Sequence, residues 1–256
     1  MMSKILIVKT GTTFPTLKNV KGDFDAWVVK GFGRDDHLEI QVADVAAGST
    51  LPSTADFAGV IVTGSHAMVT DHADWSERTA EWLRKTVKME IPTLGICYGH
   101  QLLAYAFGGK VGDNPSGLEA GTVVVTPNAF GSQDTLLRGF QGPFKAHMCH
   151  RQSVLELPKG AVPLAVTRKE ANAAFSIHPR AWGVQFHPEF DSGIERAYVL
   201  RHAGELAEQG EDVHQALSTC METGCGREIF AQFLSVVHEH ARPAGSRVHR
   251  RLACAV

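Results

Sequence analysis

The chain has 256 residues, 44% hydrophobic and 20% charged, enough for one α/β domain with a substantial core. Its 25 Lys and Arg stand against 27 Asp and Glu, for a net charge of -2 and a pI near 6.7, so no general basic field marks a nucleic-acid binder. No apolar run approaches the roughly eighteen residues of a membrane helix, which excludes a helical membrane span.

In chain order, Met1-Met2-Ser3-Lys4 leads straight into Ile5-Leu6-Ile7-Val8, too short a lead for a signal peptide. Apolar spacing predicts a strand at 4–10, a helix at about 23–32, strands at 38–45 and 58–63, a helix at 74–89, a strand at 92–97 and a helix at 98–108. Gly31-Phe32-Gly33 is too short for a phosphate loop and reads as a turn; no Gly-rich loop with the required lysine appears. A β-rich part follows, at 122–126, 144–149, 162–167, 173–177 and 181–186, with connections short enough for hairpins. Residues 194–209, 213–221 and 227–240 are helical by periodicity. The alternation predicts an open, mostly parallel twisted sheet flanked by helices, with a small antiparallel β part. Residues 1–241 form one domain in this reading. The stretch 242–256 is a solvated basic tail with four arginines, no acid, and Pro243 and Gly245 as breakers.

The most informative segment is Leu94-Gly95-Ile96-Cys97-Tyr98-Gly99-His100-Gln101, a cysteine between two glycines where an apolar strand gives way to a helix. A strand-to-helix elbow leaves little room for side chains at Gly95 and Gly99, and one of its positions commonly takes a dihedral that a β-carbon opposes. A thiol at a helix N-terminus is biased toward thiolate by the free N–H groups there. Most lone cysteines are small core residues, but they lack this glycine frame.

A second segment, Trp182-Gly183-Val184-Gln185-Phe186-His187-Pro188-Glu189-Phe190, ends a strand at a histidine with a glutamate two residues on. Pro188 keeps His187 extended, so both side chains point to one side and the carboxylate reaches one imidazole nitrogen. Cys97, His187 and Glu189 then make a nucleophile, a proton shuttle and an orienting acid. His178-Pro179 serves as an internal control: Arg180 follows, with no acid, and His178 reads as an ordinary loop residue. A third element, the strand Ala58 to Val62 running into Thr63-Gly64-Ser65, offers the Gly64 N–H to pair with that of Tyr98 around an oxyanion. Five cysteines, with no CxxC pair and no cysteine-histidine ligand spacing, give no zinc signal and fit a reduced cytoplasm. Cys220 and Cys225 fall at a helix junction.

Gly-Ile-Cys-Tyr-Gly-His-Gln together with Val-Gln-Phe-His-Pro-Glu-Phe resembles the class I glutamine amidotransferases, and Ala146 to Pro158 resembles the glutamine-pocket segment of the GMP synthase-like branch. The resemblance runs from about Lys4 to about Phe190. It implies a flavodoxin-like fold, Cys97, His187 and Glu189 as the triad, and Gly64 and Tyr98 as the oxyanion hole. It also implies Gln101, Cys149, His150 and Arg151 as substrate contacts, and needs no cofactor or metal. Two departures stand out: Thr63-Gly64-Ser65 keeps only the second glycine of the usual Gly-Gly-Pro turn, and His150-Arg151-Gln152 replaces His-Gly-Asp. Such substitutions are similar to those of stand-alone amidotransferase-like proteins and γ-glutamyl peptidases. The expected reaction is hydrolysis of a γ-glutamyl amide through a thioester, glutamine giving glutamate and ammonia, with a separate synthase subunit as a possible acceptor of the ammonia. The alternatives are a γ-glutamyl peptidase, for which Arg151 would meet a substrate carboxylate, and a non-catalytic binding module. Neither nucleic acid nor a membrane is an expected partner.

Overall fold

Ile5 to Val8 are apolar at every position, so the strand they form must be covered on both faces. In the computed structural model, which describes residues 2–177 and 179–241, it is. His178 and the basic tail at 242–256 lie outside the described residues. The elements are β1 (Ser3–Lys9), α1 (Pro15–Lys21), α2 (Phe24–Phe32), β2 (Leu38–Asp44), β3 (Gly59–Val62), α3 (Asp74–Lys88), β4 (Thr93–Ile96) and α4 (Tyr98–Ala106). They continue with β5 (Lys110–Asp113), β6 (Glu119–Pro127), β7 (Phe144–His150), β8 (Gln152–Glu156), β9 (Val162–Val166), β10 (Ala174–Ile177) and β11 (Ala181–Val184). The helices α5 (Ser192–Arg201), α6 (Ala203–Glu208), α7 (Val213–Thr219) and α8 (Cys225–Ala241) close the described chain.

Because side chains alternate along a strand, Ile5 and Ile7 enter one core with Val28 of α2 and Ile229, Phe230, Phe233 and Val237 of α8. Leu6 and Val8 enter the opposite core with Ala80 and Leu83 of α3 and Leu102 and Ala106 of α4. The large sheet runs β2-β1-β3-β4-β11-β10-β9-β6-β7. From β2 to β11 all neighbours are parallel, and from β11 onward all are antiparallel. The antiparallel part thus continues the parallel sheet, and a two-stranded ladder of β5 with β8 stands beside it.

Three elements escape the periodicity reading for a shared reason, that they are too short or too polar to carry a repeat. Helix α1 spans seven residues with only Leu17 buried, β5 reads Lys-Val-Gly-Asp, and β8 buries its first three residues without alternation. Hairpin connection holds for β10 to β11, but residues 128–143 between β6 and β7 are longer than a hairpin loop, and β8 leaves β7 after Arg151 alone to pair with β5. The helix expected at 194–209 breaks at His202 (φ -103, ψ 13) into α5 and α6. Gly31 and Phe32 complete the last turn of α2, and Gly33 at φ 69 ends it.

Helix α4 lies directly on β3 and β4 because glycines remove the intervening atoms. A β-carbon on Gly95 would fall against the Gly99 carbonyl, and one on Gly99 against the Val62 carbonyl, both well inside contact distance. Backbone cannot yield as a flexible side chain does. Gly95→Ala is therefore expected to lower stability by about 3 kcal/mol, read as a fall in the urea midpoint at an unchanged slope.

Candidate active site

Strands β3, β4 and β11 are adjacent and parallel, with Val62 level with Gly95 and Val184 level with Ile96, so their carboxyl ends open on one sheet edge where ligands of such folds bind. Cys97 follows β4 and caps α4 at φ 50 and ψ -100. The strained position of the elbow is thus the cysteine itself, at a cost of about 1–3 kcal/mol. Neighbouring bonds hold it there: the Cys97 N–H donates to the Val184 carbonyl at 2.9 Å, and its carbonyl accepts from the Gln101 N–H at 3.1 Å. The residue is 6% exposed, and its thiol donates to the Cys149 carbonyl at 3.8 Å.

His187 Nδ1 and Glu189 Oε1 are 2.8 Å apart in a buried pair. The sequence reading expected a strand to 186 and an extended chain on through Glu189, but the strand stops at Val184, and the Phe190 N–H donates weakly to the His187 carbonyl at 3.4 Å. A turn, rather than strand alternation, brings the two side chains together. The imidazole stacks on Phe190 at 3.9 Å between centroids, and its N–H of the main chain donates to the His147 carbonyl of β7 at 2.9 Å. Strand β7 is the far edge of the large sheet, so the antiparallel half curls back over this loop. Burial by itself would lower the His187 pKa. The Glu189 charge, then Cys97 as charge and hydrogen-bond partner, outweigh it and raise the value well above the ordinary 6.5.

Gly64 stands on the β3 side of the cysteine, where a β-carbon would come within 3.0 Å of His187 Cε1. The Thr63 carbonyl accepts from the Gly99 N–H at 3.2 Å and from Thr10 Oγ1 at 2.9 Å. Because the peptide is planar, those two bonds fix the direction of the Gly64 N–H. Tyr98 opens α4, so its N–H is among those with no partner inside the helix. Its hydroxyl is anchored on Ser76 Oγ at 2.6 Å, and burial pushes its pKa up to about 12.

Cys97, Tyr98 and His187 line one cavity of about 190 Å³, whereas Gly64 and Glu189 are not among its lining residues. Cys97, Tyr98, Gln101, Gln152, His187 and Tyr198 form its buried floor, while His66, Arg151 and Arg201 lie exposed at the rim. Gln101 lines it with a fixed amide, Nε2 donating to the Gln152 carbonyl at 2.6 Å and to Gln185 Oε1 at 2.9 Å. Cys149 also lines it, and burial raises its thiol pKa well above the ordinary value. His150 lines it too, but its ring nitrogens face the Gln152 carbonyl at 2.9 Å and Glu119 Oε2 at 3.2 Å, so its hydrogen bonds point inward. Arg151 reaches the rim already paired with Glu205. Among the described residues no group of three His, Cys, Asp or Glu is placed to hold a metal, and no helix is long and apolar enough to cross a membrane.

Sequence reading missed the contribution of α5 and α6. Tyr198, His202 and Glu205 recur at helical spacing, a pattern that places them on one face, and that was the available signal. It also missed Glu195, fully buried on α5, whose Oε1 accepts the Gly121 N–H at 2.7 Å and whose Oε2 lies 3.9 Å from His147 Nδ1 without a hydrogen bond. Burial pushes the Glu195 pKa up to about 8 against the pull of His187 and Gly121, with Glu189 adding to the rise. An unfolded glutamate gives up its proton near 4.5, whereas folded Glu195 keeps it to about 8, so this group weakens the fold as pH rises through that window. Glu195→Gln retains an acceptor for Gly121 and removes the ionisation. Relative to wild type it should gain about 1 kcal/mol per pH unit between pH 5 and 8, measured by urea midpoints; a constant difference would show Glu195 already ionised.

Residues 29–205 match the family model described as glutamine amidotransferase class-I. Over 144 residues the chain is 39% identical to a GMP synthase (glutamine-hydrolyzing) of Aeropyrum pernix, covering 56% of this chain and 26% of that protein. It is 31% identical over 182 residues to gamma-glutamyl peptidase 3 of Arabidopsis thaliana, covering 69% of this chain and 72% of the relative. The chain thus spans about a quarter of that GMP synthase and nearly three quarters of that peptidase. Crystal structures of glutamine amidotransferases from Thermotoga maritima and Methylobacillus flagellatus share its fold, each with a TM-score of 0.68 at 20% identity; they cover 93% and 92% of this chain and 97% and 96% of their own. The family model covers more than half of the chain, and with that extent the chain belongs to the class-I glutamine amidotransferase family.

Proposed function

We propose that the protein hydrolyses a γ-glutamyl amide, glutamine giving glutamate and ammonia, with Cys97 as nucleophile. The observation that carries this reading is the Cys97 elbow beside a buried His187 whose Nδ1 is 2.8 Å from Glu189. A histidine with raised proton affinity next to a thiol favours the ion pair from which cysteine hydrolases attack. The thiolate adds to the carboxamide carbon, and the oxyanion takes hydrogen bonds from the Gly64 and Tyr98 N–H groups. His187 then protonates the departing nitrogen while Glu189 holds the ring. Ammonia leaves, a γ-glutamyl thioester remains, and water deprotonated by the same imidazole releases glutamate and restores the thiol. All of these are side-chain or main-chain groups of this chain, and Gln101 and Cys149 contribute cavity wall. A separate synthase subunit consuming the ammonia, and a reducing cytoplasm suited to the four free cysteines among the described residues, complete the proposal.

A second reading, γ-glutamyl peptidase, is favoured by the 72% coverage of the plant relative and by a rim that also carries His66 and Arg201. A binding module without catalysis would leave the strained cysteine and the buried His187–Glu189 pair without a purpose.

Incubation with glutamine and with a γ-glutamyl dipeptide, followed by glutamate assay, tests the reading. Cys97→Ala should release none, and equal release by variant and wild type would refute the mechanism. Gly64→Ala should lower kcat/KM roughly a hundredfold, about 3 kcal/mol, through the crowded imidazole and displaced oxyanion donor. Full activity in that variant would remove Gly64 from the site.

A further inference from the structure

The single residue that joins β7 to β8 is tied to the C-terminal helices across the cavity mouth. Arg151 Nε donates to the two Glu205 oxygens at 2.9 and 3.0 Å, and its Nη2 contacts Glu205 Oε2 and donates to His202 Nδ1 at 3.0 Å. Arginine has no acceptor, so His202 must receive that bond on a bare nitrogen. Burial, then the Arg151 charge, push the His202 pKa down to about 4, which leaves it neutral and able to accept at neutral pH. The hydrogen bond from Arg151 holds the Glu205 carboxyl below its ordinary range, so the pair is ionised there as well.

Two of the three residues of this bridge border the site. Arg151 and His202 both line the cavity that holds Cys97, and the cysteine is only 6% exposed. At about 190 Å³ the space is smaller than the 300–1,000 Å³ that drug-sized ligands occupy, which suits a free amino acid. The Arg151 and Glu205 side chains are 42% and 32% exposed, and ion pairs of that kind are held weakly enough to open with the fold intact. We infer that the Arg151–Glu205–His202 bridge is the specificity-determining wall of this site: closed, it limits the bulk of the substrate that reaches Cys97, so that glutamine is preferred over bulky γ-glutamyl conjugates. The choice of substrate rests on the γ-glutamyl reading above; the size limit at the mouth does not.

Two measurements on the full chain keep those apart. In the first, kcat/KM is compared for γ-glutamyl-p-nitroanilide and glutamine. Wild type should favour glutamine, and both Glu205→Gln and Arg151→Ala should raise the anilide-to-glutamine ratio at least fivefold; a smaller rise, or a wild-type preference for the anilide, overturns the inference. In the second, Cys97 is alkylated by iodoacetamide or by the bulkier N-phenylmaleimide and the labelled peptide is quantified. The maleimide-to-iodoacetamide rate ratio should rise at least fivefold in Glu205→Gln, and an unchanged ratio overturns the wall. A shifted labelling ratio in a protein whose wild type turns over neither substrate would uphold the wall and sink the γ-glutamyl reading.

Discussion

The site depends on the bare contact between the first turn of α4 and the ends of β3 and β4. With no β-carbon at Gly95 or Gly99, helix backbone rests on strand backbone, and the chain must reverse within one residue. That residue is Cys97, which takes a positive φ at a local energetic penalty that the surrounding hydrogen bonds offset. Because its N–H is bonded to Val184, the same contact sets the cysteine against the strand that leads to His187. Any side chain in the interface would lift α4, and the sulfur, the Tyr98 N–H and the register with β11 would move together.

Electrostatics in the site follow from burial. His187 is enclosed by Phe190, Phe24 and Gly64, where a charge interacts more strongly than in water and where an unpaired one would be costly. Glu189 and Cys97 supply the compensating interactions, which is why proton affinity rises despite desolvation. Glu195, also without solvent, is held toward its neutral form, so Glu189 is left as the principal carboxylate charge acting on the ring.

Two parts of the fold meet around the cavity. The loops after the parallel strands present Cys97, Tyr98 and His187 on the floor and His66 at the rim, while β8 and α5 complete the floor with Gln152 and Tyr198 and the β7–β8 connection and α5 supply Arg151 and Arg201 at the rim. Arg151 belongs to this second set: it departs from the glycine that the resemblance would place there, and its planar fork is matched by a carboxylate and a neutral imidazole on the facing helices.

Sequence alone determined the α/β class, the strands of the parallel half and the two motifs around Cys97 and His187, because uninterrupted apolar runs, glycine pairs and a His-Pro-Glu run are local signals. It placed Cys97 at a strand-to-helix turn and paired His187 with Glu189, though the turn that joins them was read as extended chain. Three features arose only in three dimensions: β4 lies between β3 and β11, β7 curls back to bond His187, and α5–α6 meet Arg151. Each is an adjacency between segments tens of residues apart, set by which apolar faces can be buried together and not by any local pattern. The same holds for Glu195 and for the bonds that occupy His150 and Arg151, since a side chain's partners depend on what the fold brings beside it.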